Sequence, residues 1–323
     1  GSWGTTLADL LARKGLEGRI WAYEATGVES INARHVNDLF LANSPLAPSL
    51  TATGRVEEAV GDADLVLLAA PSHAARSVLE TARGSIRPGT IVTCASKGIE
   101  VETLDLMSTV AAATLPGHPF VALSGPSFAN EVYARQPTAV VAASEDRSAA
   151  LEVQRIFGTS EFRVYWNDDV IGTELGGALK NVIAIAAGIL EGLGMGHNPR
   201  AALITRGLAE MTRLGEALGA RPATFAGLAG IGDLILTAAG PQSRNRSLGE
   251  ALARGVTLEQ HRREHRTVAE GVNTARAAVA LAERHRVEMP IAANVAGILF
   301  EDKAPRQAIA ELMERTPKPE QWT

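Results

Sequence analysis

Leu65-Val-Leu-Leu-Ala-Ala70, bounded by Asp64 and Pro71, is an apolar run without a polar break. A strand with one face in water would alternate. A continuous run of this length predicts a strand buried on both faces. Other segments read the same way. Thr90-Ile-Val-Thr-Cys94 follows Pro88-Gly89, and Phe120-Val-Ala-Leu-Ser124 and Ala139-Val-Val-Ala-Ala143 come after it. Arg19-Ile-Trp-Ala-Tyr23 reads as a strand upstream. Helix-like stretches lie between them at 5–14, 56–60, 74–82 and 149–157. Strands separated by helices and buried on both sides predict an α/β domain with a mainly parallel sheet.

After Phe162-Arg-Val-Tyr-Trp166 the texture changes. Strand-like patterns nearly vanish from 170 to 313, and helical periods take over at 201–218, 247–254, 273–286 and 305–315. The polar turn Asn167-Asp168 separates the two textures. The predicted division is therefore 1–168 and 169–323, the second part an all-α C-terminal domain. A length of 323 residues suits two domains, each with its own core. The tail 316–323 is expected to fray.

Hydrophobic residues make up 46% and charged residues 21%, an ordinary globular composition. A net charge of −5 and a pI near 5.9 advertise no basic face, so no nucleic-acid partner is expected. Cys94 is the only cysteine, which excludes an internal disulfide and a thiolate metal site. No stretch reads as long and apolar enough to cross a bilayer; the best, 182–190, is stopped by Glu191. The N-terminus lacks a basic segment followed by an apolar one. These readings point to a cytoplasmic protein without membrane insertion. The seven histidines show no metal-ligand spacing, so no metal is expected. His261 and His265 read as solvent-facing in a charged helix. A nucleophile elbow G-x-S-x-G is absent, which disfavours a serine hydrolase.

Lys180 stands inside Leu175-Gly-Gly-Ala-Leu-Lys180-Asn181-Val-Ile-Ala-Ile-Ala-Ala-Gly-Ile-Leu190. No other basic group lies in that stretch. Desolvation disfavours an ammonium and lowers its pKa towards the range of a general base. A lysine that merely lines a domain interface would also fit. Asp233 lies in Leu228-Ala-Gly-Ile-Gly-Asp233-Leu-Ile-Leu, and a carboxylate in such surroundings needs a partner, for which Lys180 is the candidate.

The chain opens Gly1-Ser-Trp-Gly4-Thr-Thr-Leu-Ala. This spacing suits the second half of a G-x-G-x-x-G loop, where the helix N-terminus receives a pyrophosphate. An ordinary helix start would look alike. Glu24, about 20 positions on, is the acidic residue such a fingerprint expects after its second strand. Pro71-Ser72-His73, Ser96-Lys97-Gly98 and Gly125-Pro-Ser127-Phe-Ala129 each follow a strand's carboxyl end, where α/β sheets bind ligands. Each could alone be a simple turn; three on one sheet edge read as a site. Ser243-Arg244-Asn245-Arg246 offers an arginine fork with Ser and Asn donors, suited to a phosphate or to a solvated loop.

Taken together these segments resemble the bacterial NAD(P)-dependent glycerol-3-phosphate dehydrogenase family. The resemblance runs from Gly1 to about Arg315. It rests on G-S-W-G-T-T-L-A, H-V-N (35–37), P-S-H, S-K-G-I-E, S-G-P-S-F-A-N-E, G-G-A-L-K-N-V-I-A-I-A-A-G, A-L-I-T-R-G-L-A-E-M, G-I-G-D-L-I-L-T, Q-S-R-N-R and V-A-E-G. It implies a Rossmann-type doubly wound sheet followed by the helical domain. It implies an oxidoreductase that interconverts sn-glycerol 3-phosphate and dihydroxyacetone phosphate and supplies phospholipid synthesis. By this resemblance Lys180 is the base at the C2 hydroxyl, Lys97 assists at the same oxygen, and Asp233 orients or balances the lysines. Ser243, Arg244 and Asn245 hold the phosphate of a small phosphorylated substrate, and Gly125 and Ser127 line it. Ser2, Trp3, Gly4, Tyr23, Lys97, Ala129, Arg244, Val268 and Glu270 contact NAD or NADP. A homodimer is expected from the apolar helical half.

Two departures stand out. Tyr23 occupies a position where many relatives carry Arg or His to grip a 2′-phosphate. Tyr23 lacks that charge and Glu24 suits a ribose hydroxyl, so NAD is favoured over NADP. The loop also lacks its first glycine and the strand before it. The expectation is that a short apolar strand ending in Gly-x precedes Gly1 in a longer natural chain. Without it the chain is expected to bind dinucleotide poorly and to be unstable. Two alternatives stay open on sequence: a hydroxyacid or 6-phosphogluconate-type dehydrogenase, and a non-catalytic dinucleotide-binding protein.

Overall fold

The computed structural model describes residues 1–264, 269–317 and 319–320. Its strands are β1 (Arg19–Trp21), β2 (Thr51–Thr53), β3 (Leu65–Leu68), β4 (Ile91–Cys94), β5 (Phe120–Ser124), β6 (Thr138–Ala143) and β7 (Phe162–Asn167). They form two ladders. β1 pairs with β2 in parallel, and β3 to β7 run in chain order through a second sheet. β3, β4 and β5 are parallel to one another, β6 is antiparallel to β5, and β7 is parallel to β6. β1 and β3 each end a ladder, with no strand on the other side among the described residues.

The continuous apolar runs of β4, β5 and β6 follow from burial on both faces, whereas β3, at the edge of its ladder, is buried at Leu68 and only half-buried at Leu65, Val66 and Leu67, which corrects the expectation of full burial. One face packs Leu68, Val92 and Cys94 against Val56, Leu79 and Val110 from three helices. The other packs Val121, Leu123 and Val140 against Leu7, Val153 and Phe157. β2 escaped the sequence reading because Thr-Ala-Thr is too short and polar to show a pattern. Its outer edge is satisfied by one side chain: the Asn32 amide accepts from Ala52 N–H at 2.8 Å and donates to the Ala52 carbonyl at 2.9 Å. A primary amide thus stands in for a neighbouring strand.

From Val170 onward every described regular element is helical. The helix Val170–Gly192 runs through the middle of this half, and its buried residues include Leu175, Leu179, Val182, Ile183, Ile185 and Ile189. It corrects one expectation, since by length and composition it could cross a membrane, as could Pro222–Ala239. For Val170–Gly192 the physical reason lies in packing. Its most apolar window is 89% buried inside the protein, and a helix surrounded by other helices is apolar all round. His261 corrects another. The segment Leu258–Glu264 is a helix, but His261 is only 9% exposed and turns inward. His265 lies outside the described residues.

Candidate active site

Three loops leave the carboxyl ends of β3, β4 and β5 and face the helical half. Lys97, just past β4, donates to the Gly125 carbonyl at 3.0 Å and to Asp233 Oδ2 at 2.7 Å. Lys180, in the third turn of Val170–Gly192, donates to Asp233 Oδ1 at 2.5 Å and to the Thr237 hydroxyl at 2.8 Å. One carboxylate therefore holds both ammonium groups. Asp233 is 1% exposed and Lys180 is 7% exposed, so water screens little of this cluster.

Burial lowers the Lys180 pKa from its usual value to about 8. Asp233 opposes the shift and the charge of Lys97 adds to it. A lysine at about 8 can both take and give a proton near neutral pH.

Local sequence explains these positions. Asp233 opens the helix Asp233–Ala239 directly after a π-helical turn, Leu228–Gly232. Such turns re-aim a side chain without ending the helical path. Thr237, four residues on, lies on the same face and donates to the Asp233 carbonyl at 2.7 Å. Gly125 has φ +138°, and a side chain there would strike Val140, so only glycine fits. Its carbonyl also accepts the Ser127 hydroxyl at 3.0 Å.

Asn245 is buried and fully oriented. Its amide donates to Asn181 Oδ1 at 2.9 Å, and its carbonyl accepts Gly271 N–H at 2.9 Å. Asn181 is the residue after Lys180, so this bond links the lysine helix to the Ser243-Arg244-Asn245 turn. Ser243 caps the helix Arg244–Ala253 by accepting Arg246 N–H at 3.2 Å. Arg244, first in that helix, is exposed and has no carboxylate within ion-pair distance among the described residues. A guanidinium without a close ion pair, balanced only at a distance by Glu270, can receive an anion beside Ser243 and Asn245.

Glu270 accepts the Ser72 hydroxyl at 2.8 Å, which ties the turn after β3 to the helical half. Burial pushes its pKa up, while the Ser72 bonds and the charge of Arg244 pull it back. The helix Ser2–Arg13 begins at Gly1 with no side-chain cap and no acidic residue in its first turn. Its first N–H groups are thus open to a phosphate, and the local charge does not oppose one. Gly4 faces the Ala69 methyl beyond β3. The Trp3 indole N–H is buried without a partner, and the ring lies 6.5 Å from Phe162. Ala129 meets this helix through the Thr6 hydroxyl, which donates to its carbonyl at 3.3 Å. These features fit a dinucleotide. Tyr23 stands apart, 85% exposed, with Glu24 beside it. Val268 lies outside the described residues.

The structure thus gathers Lys97, Lys180, Asp233, Gly125 and Ser127 into one cluster and connects Asn245 to it through Asn181. Sequence reasoning gave no role to Thr237 or Asn181. The four-residue spacing from Asp233 to Thr237 was the available signal for the first. Asn181 had none beyond adjacency to Lys180.

Residues 1–150 match the N-terminal region of the NAD-dependent glycerol-3-phosphate dehydrogenase family, and residues 169–310 match its C-terminal region. The glycerol-3-phosphate dehydrogenase [NAD(P)+] of Geobacter sulfurreducens is 57% identical over 325 residues, covering 100% of this chain and 97% of that protein. That of Geobacter metallireducens is 56% identical, covering 99% and 96%. The crystal structure of glycerol-3-phosphate dehydrogenase from Coxiella burnetii superposes with a TM-score of 0.94 at 42% identity, covering 98% of this chain and 97% of that one.

Proposed function

The chain belongs to the NAD-dependent glycerol-3-phosphate dehydrogenase family, and on that premise we propose that it interconverts sn-glycerol 3-phosphate and dihydroxyacetone phosphate using NAD(P). The observation that carries the reading is the Lys97–Asp233–Lys180 cluster at the carboxyl ends of β4 and β5.

When bound, the dinucleotide accepts the C2 hydride in oxidation or returns it in reduction. Lys180 Nζ takes the C2 hydroxyl proton as the alcohol becomes a ketone, and gives it back in the other direction. Its pKa of about 8 leaves both forms populated near neutral pH, which suits a reversible step. Lys97 steadies negative charge at the same oxygen. Asp233 keeps the two lysines together and offsets one of their charges. Ser243, Arg244 and Asn245 anchor the phosphate, so binding energy is gathered away from the reacting carbon. Gly125 and Ser127 line the substrate between these points.

Ser2, Trp3 and Gly4 would hold the pyrophosphate and its surroundings at the open helix N-terminus. Ala129, Arg244 and Glu270 complete that side, with Tyr23 and Glu24 at the ribose. NAD is preferred over NADP, because Tyr23 brings no positive charge and Glu24 would repel a 2′-phosphate. Residues 1–168 form the dinucleotide unit and 169–323 the substrate unit. The working form is a homodimer in the cytoplasm, where a reducing environment suits the single buried thiol of Cys94.

The test is NADH oxidation on addition of dihydroxyacetone phosphate, with unphosphorylated dihydroxyacetone as control. Turnover with the first and little with the second is expected. Equal rates would remove the phosphate anchor from the account.

A further inference from the structure

The helix Val170–Gly192 lies against the sheet domain at Gly177, one turn before Lys180, and meets it again at Glu174. Glu174 lies six residues before Lys180, about 9 Å away along the axis at a rise of 1.5 Å per residue. Its side chain is buried and accepts the Ser108 N–H at 2.8 Å and the Ser108 hydroxyl at 2.5 Å. Ser108 is in the first turn of the helix Met107–Thr114, whose own N-cap, Leu106, offers no side-chain acceptor. A carboxylate from one domain therefore satisfies the open helix end of the other. No Lys or Arg pairs with Glu174 among the described residues. Burial pushes its pKa up to about 7, and the bonds from Ser108 and Met107 pull it back. A buried carboxyl without a cation depends on its hydrogen bonds, and here both come from the other domain.

The segment joining Lys97 to Ser108 is short and braced. Ile99 bridges Leu106, and the Glu100 N–H donates to the Asp105 carbonyl at 3.0 Å. Arg76 pairs with Glu100 at 2.7 Å and with Asp105 at 3.3 Å. Lys97 sits at one end of this loop and Ser108 at the other. Both ends are fastened to the helical half, the first by Asp233 and the second by Glu174. Between these fastenings Gly177 lets the helix lie directly on the loop. A Cβ there would stand 2.7 Å from the Ser124 hydroxyl and 3.4 Å from Lys97 Cγ.

We propose that Glu174 is a positioning residue: its grip on Ser108 fixes the Lys180 helix against the Lys97 loop and so sets how the two lysines meet around Asp233. The inference rests on the reading of Lys180 as the base. The role needs two hydrogen-bonding positions, not a charge. Glu174→Gln can keep both, with the amide oxygen accepting the Ser108 N–H and the amide nitrogen donating to its hydroxyl. Glu174→Ala keeps neither.

The experiment measures kcat for glycerol 3-phosphate oxidation against pH in the wild type, Glu174→Ala, Glu174→Gln and Ser108→Ala, with the thermal midpoint of each. Glu174→Ala should lose roughly ten- to a hundredfold in kcat, since a displacement of about 1 Å can cost about a hundredfold. KM for the dinucleotide should not change. The wild-type rate should rise through about pH 8, the Lys180 value. In Glu174→Ala that midpoint should move to higher pH, because a loosened cluster admits water and relieves desolvation. Glu174→Gln should restore both kcat and midpoint. A wild type without the rise would overturn the base reading instead. A wild-type rise together with unchanged kcat and midpoint in Glu174→Ala would overturn the positioning role and leave a plain helix cap. Equal damage in Glu174→Gln would also overturn it. Should Glu174→Ala not fold, Ser108→Ala carries the test, since it removes one bond and leaves the helix N–H capped. Wild-type kcat and midpoint in that variant would count against the proposal.

Discussion

Asp233→Asn removes the one negative charge that two buried lysines share. Asp233 stands 2.7 Å from Lys97 Nζ and 2.5 Å from Lys180 Nζ. At an effective dielectric near 20, a unit pair about 3 Å apart is worth about 5 kcal/mol. One pKa unit corresponds to about 1.4 kcal/mol, so losing the pair lowers the Lys180 pKa by roughly four units. Burial and the Lys97 charge already push downward, and nothing would then oppose them. From about 8 the midpoint should fall well below neutral pH. The rise of glycerol 3-phosphate oxidation through pH 8 should vanish, leaving a flat profile from about pH 6 to 9. Reduction of dihydroxyacetone phosphate needs the proton on Lys180 and should suffer more than oxidation. Oxidation should slow by about a hundredfold because the lysines lose their common anchor, and reduction by more. The thermal midpoint should also fall, since breaking a buried pair costs about 3–5 kcal/mol. The assay is initial rate in both directions from pH 6 to 10, beside a melting curve. A midpoint that stays near 8, or rises, would falsify the claim that Asp233 keeps Lys180 protonated.

Arg244→Ala should raise KM for the phosphorylated substrate by ten- to a hundredfold, matching about 1.5–3 kcal/mol for a charge-assisted contact; an unchanged KM would move the phosphate site elsewhere. Glu210 is buried and accepts Ile291 N–H at 2.7 Å and Ala292 N–H at 3.2 Å, while burial raises its pKa to about 7. The folded state therefore holds its proton more tightly than the unfolded chain, and this contribution to stability is lost as pH rises from about 4.5 to 7. Glu210→Gln cannot lose it, so its stability relative to wild type should improve by up to about 3 kcal/mol between pH 4.5 and 8; denaturant titrations at the two pH values that give the same difference would contradict this.

The sheet was legible where burial on both faces left a continuous run, as in β5; β3 was found by the same pattern, although only Leu68 is buried and Leu65, Val66 and Leu67 are half-buried. It was illegible at β2, because three residues with two threonines show no period. The helices Ala25–Arg34 and Met107–Thr114 also went unread. The first is half polar, with only Gly27, Ser30 and Ile31 buried, and the second is small and nearly uniform in character, so neither carries a clear stripe. The antiparallel turn of β6 depends on how the chain returns after Ser127, which a local pattern does not encode. Lys180 and Asp233 were visible as charges in apolar surroundings, and their pairing followed from the cost of burial. Thr237 and Glu174 were harder to see. Polar residues near a helix start are common; Thr237 finds its partner only when two helices of the helical half pack together, and Glu174 only when the two domains meet. His261 misled because charged neighbours in sequence suggested a solvated face, whereas a helix presents its sides to different surroundings.

The central claim is that Lys180 moves the proton. The direct measurement compares the wild type with Lys180→Ala for dihydroxyacetone phosphate-dependent NADH oxidation, with NADH affinity followed by fluorescence in the same samples. A general base typically contributes on the order of 10²–10⁴ in rate, so turnover should fall by that amount while NADH affinity holds. A variant that keeps near-wild-type kcat would contradict the account.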